Sequence, residues 1–126
     1  MRPLAALILG VLVSVLGLFQ STPSALADDC DTATTQAAMN QCAADAYGRA
    51  AAQLNQTYEE VMAMLDPAHR EGLKQAQRDW LSYRDSHCKV EAAEVEGGTL
   101  YPAVLNGCLA QMTVERAEQI RGLGVR

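Results

Sequence analysis

Four cysteines, at positions 30, 42, 88 and 108, all lie downstream of an N-terminal export signal. Residues 1–27 open on Met1-Arg2-Pro3, run uncharged and apolar from Leu4 to Phe19, and close on Ala25-Leu26-Ala27 before Asp28. A positive start, an apolar centre and a small-residue A-x-A end together make a secretory signal peptide. The apolar run of sixteen residues has no positive flank on its far side and is short for a permanent membrane span. Cys30 follows two aspartates, which is not the small-residue setting of a lipid-attachment cysteine. The sequence therefore reads as a cleaved leader, 1–27, and one small domain, 28–126, periplasmic or secreted and with no stable membrane anchor after cleavage.

A domain of this size buries only about 60–65% of its unfolded surface, so its core is marginal. An even number of cysteines in an exported chain meets that need with two disulfides. Three pairings are possible. Cys30–Cys42 and Cys88–Cys108 are favoured, because each closes a short loop with a turn signal or a helix start inside it. A zinc site is the rival use of these thiols. No C-x2-C or H-x3-H spacing supports it, and His69 and His87 stand apart.

The apolar residues of the domain recur at helical spacing. Tyr47, Ala51, Leu54, Tyr58, Val61 and Leu65 step by three and four, predicting a helix from Thr34 or Thr35 to Asp66-Pro67. Asp66 as N-cap and Pro67 as first helical residue start a second helix, which carries Leu73, Ala76, Trp80, Tyr83 or Arg84, and His87. That helix is expected to end near Gly97 and Gly98. A third, from about Pro102 to Arg121, carries Leu105, Leu109, Met112, Arg116 and Ile120. No segment alternates as a strand does. The expected fold is all-α, a small antiparallel three-helix arrangement stapled by two disulfides. An antiparallel hairpin sets Cys88, late in the second helix, level with Cys108, early in the third.

Loss of the leader removes Arg2, leaving nine basic against fifteen acidic side chains and a net charge of −6. That balance argues against nucleic acid and anionic membranes as partners, serves solubility, and permits attraction to a basic protein. Catalytic signatures are missing from the sequence. There is no G-x-S-x-G elbow, no phosphate-cradling glycine loop and no H-E-x-x-H, so no cofactor, metal ligand set or catalytic residue is assigned. Asp85, Glu91 and Glu94 as candidates for a glycosidase carboxylate pair are outweighed by the solvated face of a helix. Two segments remain. Gln77 to Cys88 holds Trp80, Arg84 and Asp85, where Arg84 serves either an internal ion pair or a partner contact; Arg116 invites the structural reading. Glu94 to Pro102 combines Glu94, Glu96, flexible Gly97 and Gly98, and an aromatic anchor, Tyr101, over a disulfide base.

Cys30, Met39-Asn40-Gln41-Cys42, Leu54-Asn55-Gln56-Thr57-Tyr58, Ala76-Gln77-Arg78-Asp79-Trp80, Tyr83 to Cys88, Glu96 to Thr99 with Pro102, and Cys108 with Met112-Thr113 and Arg116 follow one another in a pattern that resembles the LprI-like lysozyme inhibitor domain. The blocks span essentially the whole mature domain. The resemblance implies a small exported bacterial helical domain with paired cysteines. It also implies a binding protein, not an enzyme, that inhibits lysozyme or another basic cell-wall hydrolase by occluding its cleft. The family is named for a lipoprotein; this chain lacks the lipid-attachment cysteine at the cleavage site. Candidate partner contacts are Tyr101, Glu94, Glu96, Arg78 and Arg84; the four cysteines, Trp80, Asp85, Arg116, Gly97 and Gly98 are candidate structural residues. The alternative is an envelope-associated interaction module with no lysozyme target, in which those motif residues all serve the fold. Nothing in the pattern specifies an oligomeric state.

Overall fold

The computed structural model describes residue 30 and residues 32–124. The expected leader lies outside the described residues. Three helices follow in order: α1 (Gln36–Met64), α2 (Pro67–Ala92) and α3 (Tyr101–Gly124), with a single 3₁₀ turn at Ala93–Val95. No strand occurs among the described residues.

Side-chain caps set two of the starts. The Thr35 hydroxyl accepts from the Ala38 amide at 3.1 Å, satisfying an orphan donor of the first turn of α1. Asp66 does the same for α2, accepting from Ala68 and His69 at 3.0 and 3.1 Å, with Pro67 beginning the helix. The His69 amide is the main reason the Asp66 carboxyl is held below its ordinary value; the His69 ring at 2.5 Å adds to it. These caps fall where the sequence places them.

α2 stops earlier than the glycine pair indicates. After Ala92 the chain tightens to i→i+3 bonds, with the Glu96 amide donating to Ala93 at 3.2 Å and Gly98 to Val95 at 3.0 Å. Gly97 takes φ = 77°, a conformation that disfavours any side chain.

α1 and α3 pack closely along their lengths, α2 leans on α3, and the backbones of α1 and α2 scarcely approach. Small residues explain the asymmetry. The buried row of α1 is Ala43, Ala46, Ala50, Leu54, Thr57 and Val61; that of α3 is Cys108, Ala110, Thr113, Ala117 and Ile120. Methyl-sized side chains let two helix axes come near. Gly124 sits close to the buried Val61, whose methyl a Cβ would approach to 3.2 Å. Leu54 and Val61 of the first expected stripe and Ile120 of the third lie in this seam, and its small residues carry it part-way off those stripes. Tyr47, Ala51, Tyr58, Leu105, Leu109 and Met112 are only half-buried and flank it.

Leu54, Val61, Leu73, Ala117 and Ile120 form the main core, covered by Tyr58, Met62, Leu65 and Trp80. Each fully buried large aliphatic contributes on the order of 1.5–3 kcal/mol. The disulfides supplement this small core. Cys30–Cys42 and Cys88–Cys108 are both formed, each with Cα atoms 5.6 Å apart, in the favoured pairing.

Candidate functional site

One end of the bundle gathers both disulfides. It comprises the first turns of α1, the last turns of α2, the 3₁₀ turn, the connection through Leu100, and the start of α3. The Asn40 side-chain amide donates to the Thr99 carbonyl at 2.9 Å, tying α1 to the α2–α3 connection. Tyr101 closes the turn by donating its amide to Gly98 at 3.2 Å. A connection closed by the Cys88–Cys108 disulfide and held by these bonds presents its side chains with little conformational freedom left to lose.

Those side chains are acidic and apolar. Glu91, Glu94 and Glu96 are exposed, with Lys89 as the local cation. Val90 is 76% exposed, Leu100 42% and Met39 37%, so this end offers large apolar side chains to solvent. Tyr101 is half-buried.

His87, Glu91 and Cys108 bring potential ligand atoms within 4.8 Å of one another. The Cys108 sulfur is bonded to Cys88, so it is no thiolate, and the remaining His87–Glu91 pair is exposed with its atoms 3.7 Å apart. This donor set does not make a closed metal site in the oxidised domain.

A second cluster sits mid-bundle around Trp80. The Arg84 guanidinium carbon lies 5.2 Å from the Trp80 ring and 5.3 Å from the Tyr47 ring, and that of Arg116 lies 5.7 Å from Trp80. Arg84 donates through Nε and Nη2 to Asp85 Oδ1 at 2.9 and 2.7 Å, and through Nη1 to the buried Thr113 hydroxyl at 3.4 Å. It is 7% exposed. Arg116 donates to Gln77 at 3.0 Å and to Gln119 at 3.0 Å, and burial lowers its pKa. The five candidate contact residues thus fall in two places. Glu94, Glu96 and Tyr101 share the stapled end; Arg78 and Arg84 lie on α2 roughly 15–24 Å away along the helix axis.

Comparison with known proteins decides the family. The family model described as lysozyme inhibitor LprI matches residues 27–120. The chain belongs to the LprI lysozyme inhibitor family. An uncharacterized protein of Rhizobium meliloti (strain 1021) is 35% identical over 108 residues, covering 75% of this chain and 78% of that protein. The crystal structure of a DUF1311 family protein from Pseudomonas putida KT2440 is similar at TM-score 0.66 and 32% identity, over 70% of this chain and 92% of that one. The LprI fold as seen here thus recurs in a solved relative.

Sequence reasoning read Tyr47 as a stripe residue, Met39 as part of the Met39–Cys42 block and Leu100 as part of the α2–α3 connection, and named neither these nor Val90 as partner contacts. For Val90 a signal was present: a β-branched residue between Lys89 and Glu91, on an otherwise charged helix face. Met39 and Leu100 gave none, since a lone apolar residue in a turn or first helical turn is commonplace.

Proposed function

We propose that this chain is an exported LprI-family domain that binds and inhibits a lysozyme-type muramidase, covering the enzyme's cleft with the disulfide-stapled end. The family match over residues 27–120 carries this reading. The chemistry of that end supports it: carboxylates at Glu91, Glu94 and Glu96 suit the basic rim of a common lysozyme, and Val90 and Leu100 supply apolar area to bury. Two disulfides call for an oxidising compartment, which agrees with a leader cleaved after Ala27 and a periplasmic or secreted domain. No helix among the described residues is long and apolar enough to cross a membrane. The family is one of inhibitors, and the domain acts by binding, without catalysis of its own.

Size-exclusion chromatography of the oxidised domain with a basic lysozyme tests the reading. A co-eluting complex at low salt, weakened as the Debye length shrinks from about 10 Å at 0.1 M to 3 Å at 1 M, is expected. Separate elution at every salt concentration would contradict it.

A further inference from the structure

Because α2 leans on α3 and stands off α1, an open groove of about 440 Å³ runs between α1 and α2. Its charged lining residues are Lys74, Arg78 and Arg84, and no Asp or Glu lines it, although the whole chain carries a net charge of −5. Tyr47 and Tyr58 line the α1 side, eleven residues and roughly 16 Å apart along the helix axis. A concave lining whose charged side chains are all basic, on an acidic protein, favours an anionic ligand.

The donors in the groove are arranged for an acceptor-rich ligand. Arg78 is exposed and donates Nη2 to Gln75 at 2.8 Å; no carboxylate pairs with it among the described residues. Gln77 gives its carbonyl oxygen to Arg116, which turns its amide nitrogen into the remaining polar group available to a ligand. Lys74, one turn before Arg78, is held by Glu71 at 2.6 Å. Arg84 is stacked between Tyr47 and Trp80 and neutralised by Asp85, so it forms a fixed wall and not the main cation. Arg78 is left without a direct ion pair, Glu71 acting on it only at longer range, and its forked donor suits a carboxylate.

We infer that the α1–α2 groove is a binding site for a small carboxylate-bearing ligand, of dipeptide or sugar-acid size, with Arg78 and Lys74 holding the carboxylate and Tyr47 and Tyr58 packing its body. The volume falls in the range of small-ligand clefts. The site is separate from the stapled end: Arg78 and Glu94 are sixteen residues apart in sequence, roughly 24 Å along the axis of α2. It does not depend on a lysozyme partner.

The oxidised protein is titrated, with backbone amide signals followed by NMR, against N-acetylmuramic acid and its neutral counterpart N-acetylglucosamine. Acetyl-glutamyl-alanine and its diamide form the second pair. The expected result is saturable shifts at residues 47–58 and 74–84 with one or both acids, at least about tenfold tighter than with the matched neutral compound. Saturation by the sugar acid alone names a saccharide source, by the dipeptide alone a peptide source; either supports the site. Arg78→Ala is expected to weaken binding at least about tenfold and Arg78→Lys less, both at an unchanged melting temperature because Arg78 is exposed. No saturation by either acid at about 5 mM, equal binding of acid and neutral forms, or unaltered binding by Arg78→Ala would each overturn the inference. Failure to inhibit lysozyme would leave these results as they stand.

Discussion

The side-chain amide of Asn40 and the carbonyl of Thr99 meet at 2.9 Å, fifty-nine residues apart in sequence. This bond joins the first turns of α1 to the connection whose remaining support is the Cys88–Cys108 bridge and its own turn bonds. Asn40→Ala should therefore raise amide exchange from Gly98 to Tyr101 while lowering the melting temperature only slightly. A net hydrogen bond at an exposed position is worth about 1 kcal/mol or less. Unchanged exchange there would mean that the disulfide alone orders the turn.

The Cys88–Cys108 bridge closes a loop of 20 residues and is buried at both ends. In the chain-entropy account such a loop is worth about 3 kcal/mol, so Cys88→Ala/Cys108→Ala should lower the melting temperature by roughly 10–20 °C in a domain this small. Differential scanning calorimetry checks it. A fall of only a degree or two would show that α2 is held to α3 by packing alone.

Arg84 stands where an apolar residue would be expected, stacked on Tyr47 and Trp80 and bonded to Asp85 and Thr113. Arg84→Ala should cost about 2 kcal/mol through lost stacking and the bond lost to Thr113. Because Trp80 is the single tryptophan, its fluorescence should shift to the red in the same variant. Arg84→Lys keeps the charge but not the planar stack, and should recover only part of both. An unshifted emission would contradict the stacking.

Much of this architecture was legible in the chain. Asp66-Pro67 fixed the α1–α2 break, because a carboxylate cap and a proline at the first helical position act locally. Cysteine spacing and hairpin geometry indicated the pairing that the structure contains. The packing seam was legible only in part: Leu54, Val61 and Ile120 fell on the expected stripes, and the alanines of α1 signalled close packing. Periodicity favours large apolar residues, so Tyr47 and Tyr58 marked the stripe, whereas closeness between α1 and α3 rests on alanines and Thr113, whose value lies in how near they let the backbones come. The acidic turn was visible as Glu94, Glu96 and the glycines. Its apolar component was not, since the exposure of Val90 and Leu100 depends on which way α2 faces.

Asp66 sets a pH dependence. Its carboxyl is held below the ordinary value of 3.8, first by the His69 amide and then by the His69 ring. A carboxyl with a depressed folded pKa stabilises the fold above the unfolded value and loses that contribution as pH falls through the folded one. The stability gap between the native protein and Asp66→Asn should therefore narrow as pH falls below 3.8. Thermal unfolding followed by circular dichroism from neutral to strongly acidic pH checks this. A gap that widens on acidification would reverse the assignment.

The most direct measurement is a titration of the oxidised 28–126 domain against several lysozymes, following lysis of cell walls. Saturable inhibition near about one-to-one stoichiometry is predicted, with micromolar or tighter affinity. Val90→Ser and the paired Glu94→Lys/Glu96→Lys should each weaken inhibition at least about tenfold at an unchanged melting temperature, because these side chains are exposed. Tyr101 is the poorer probe, being half-buried at the start of α3. Absence of inhibition by the folded, oxidised domain at micromolar concentration, across all the lysozymes tried, would contradict the account.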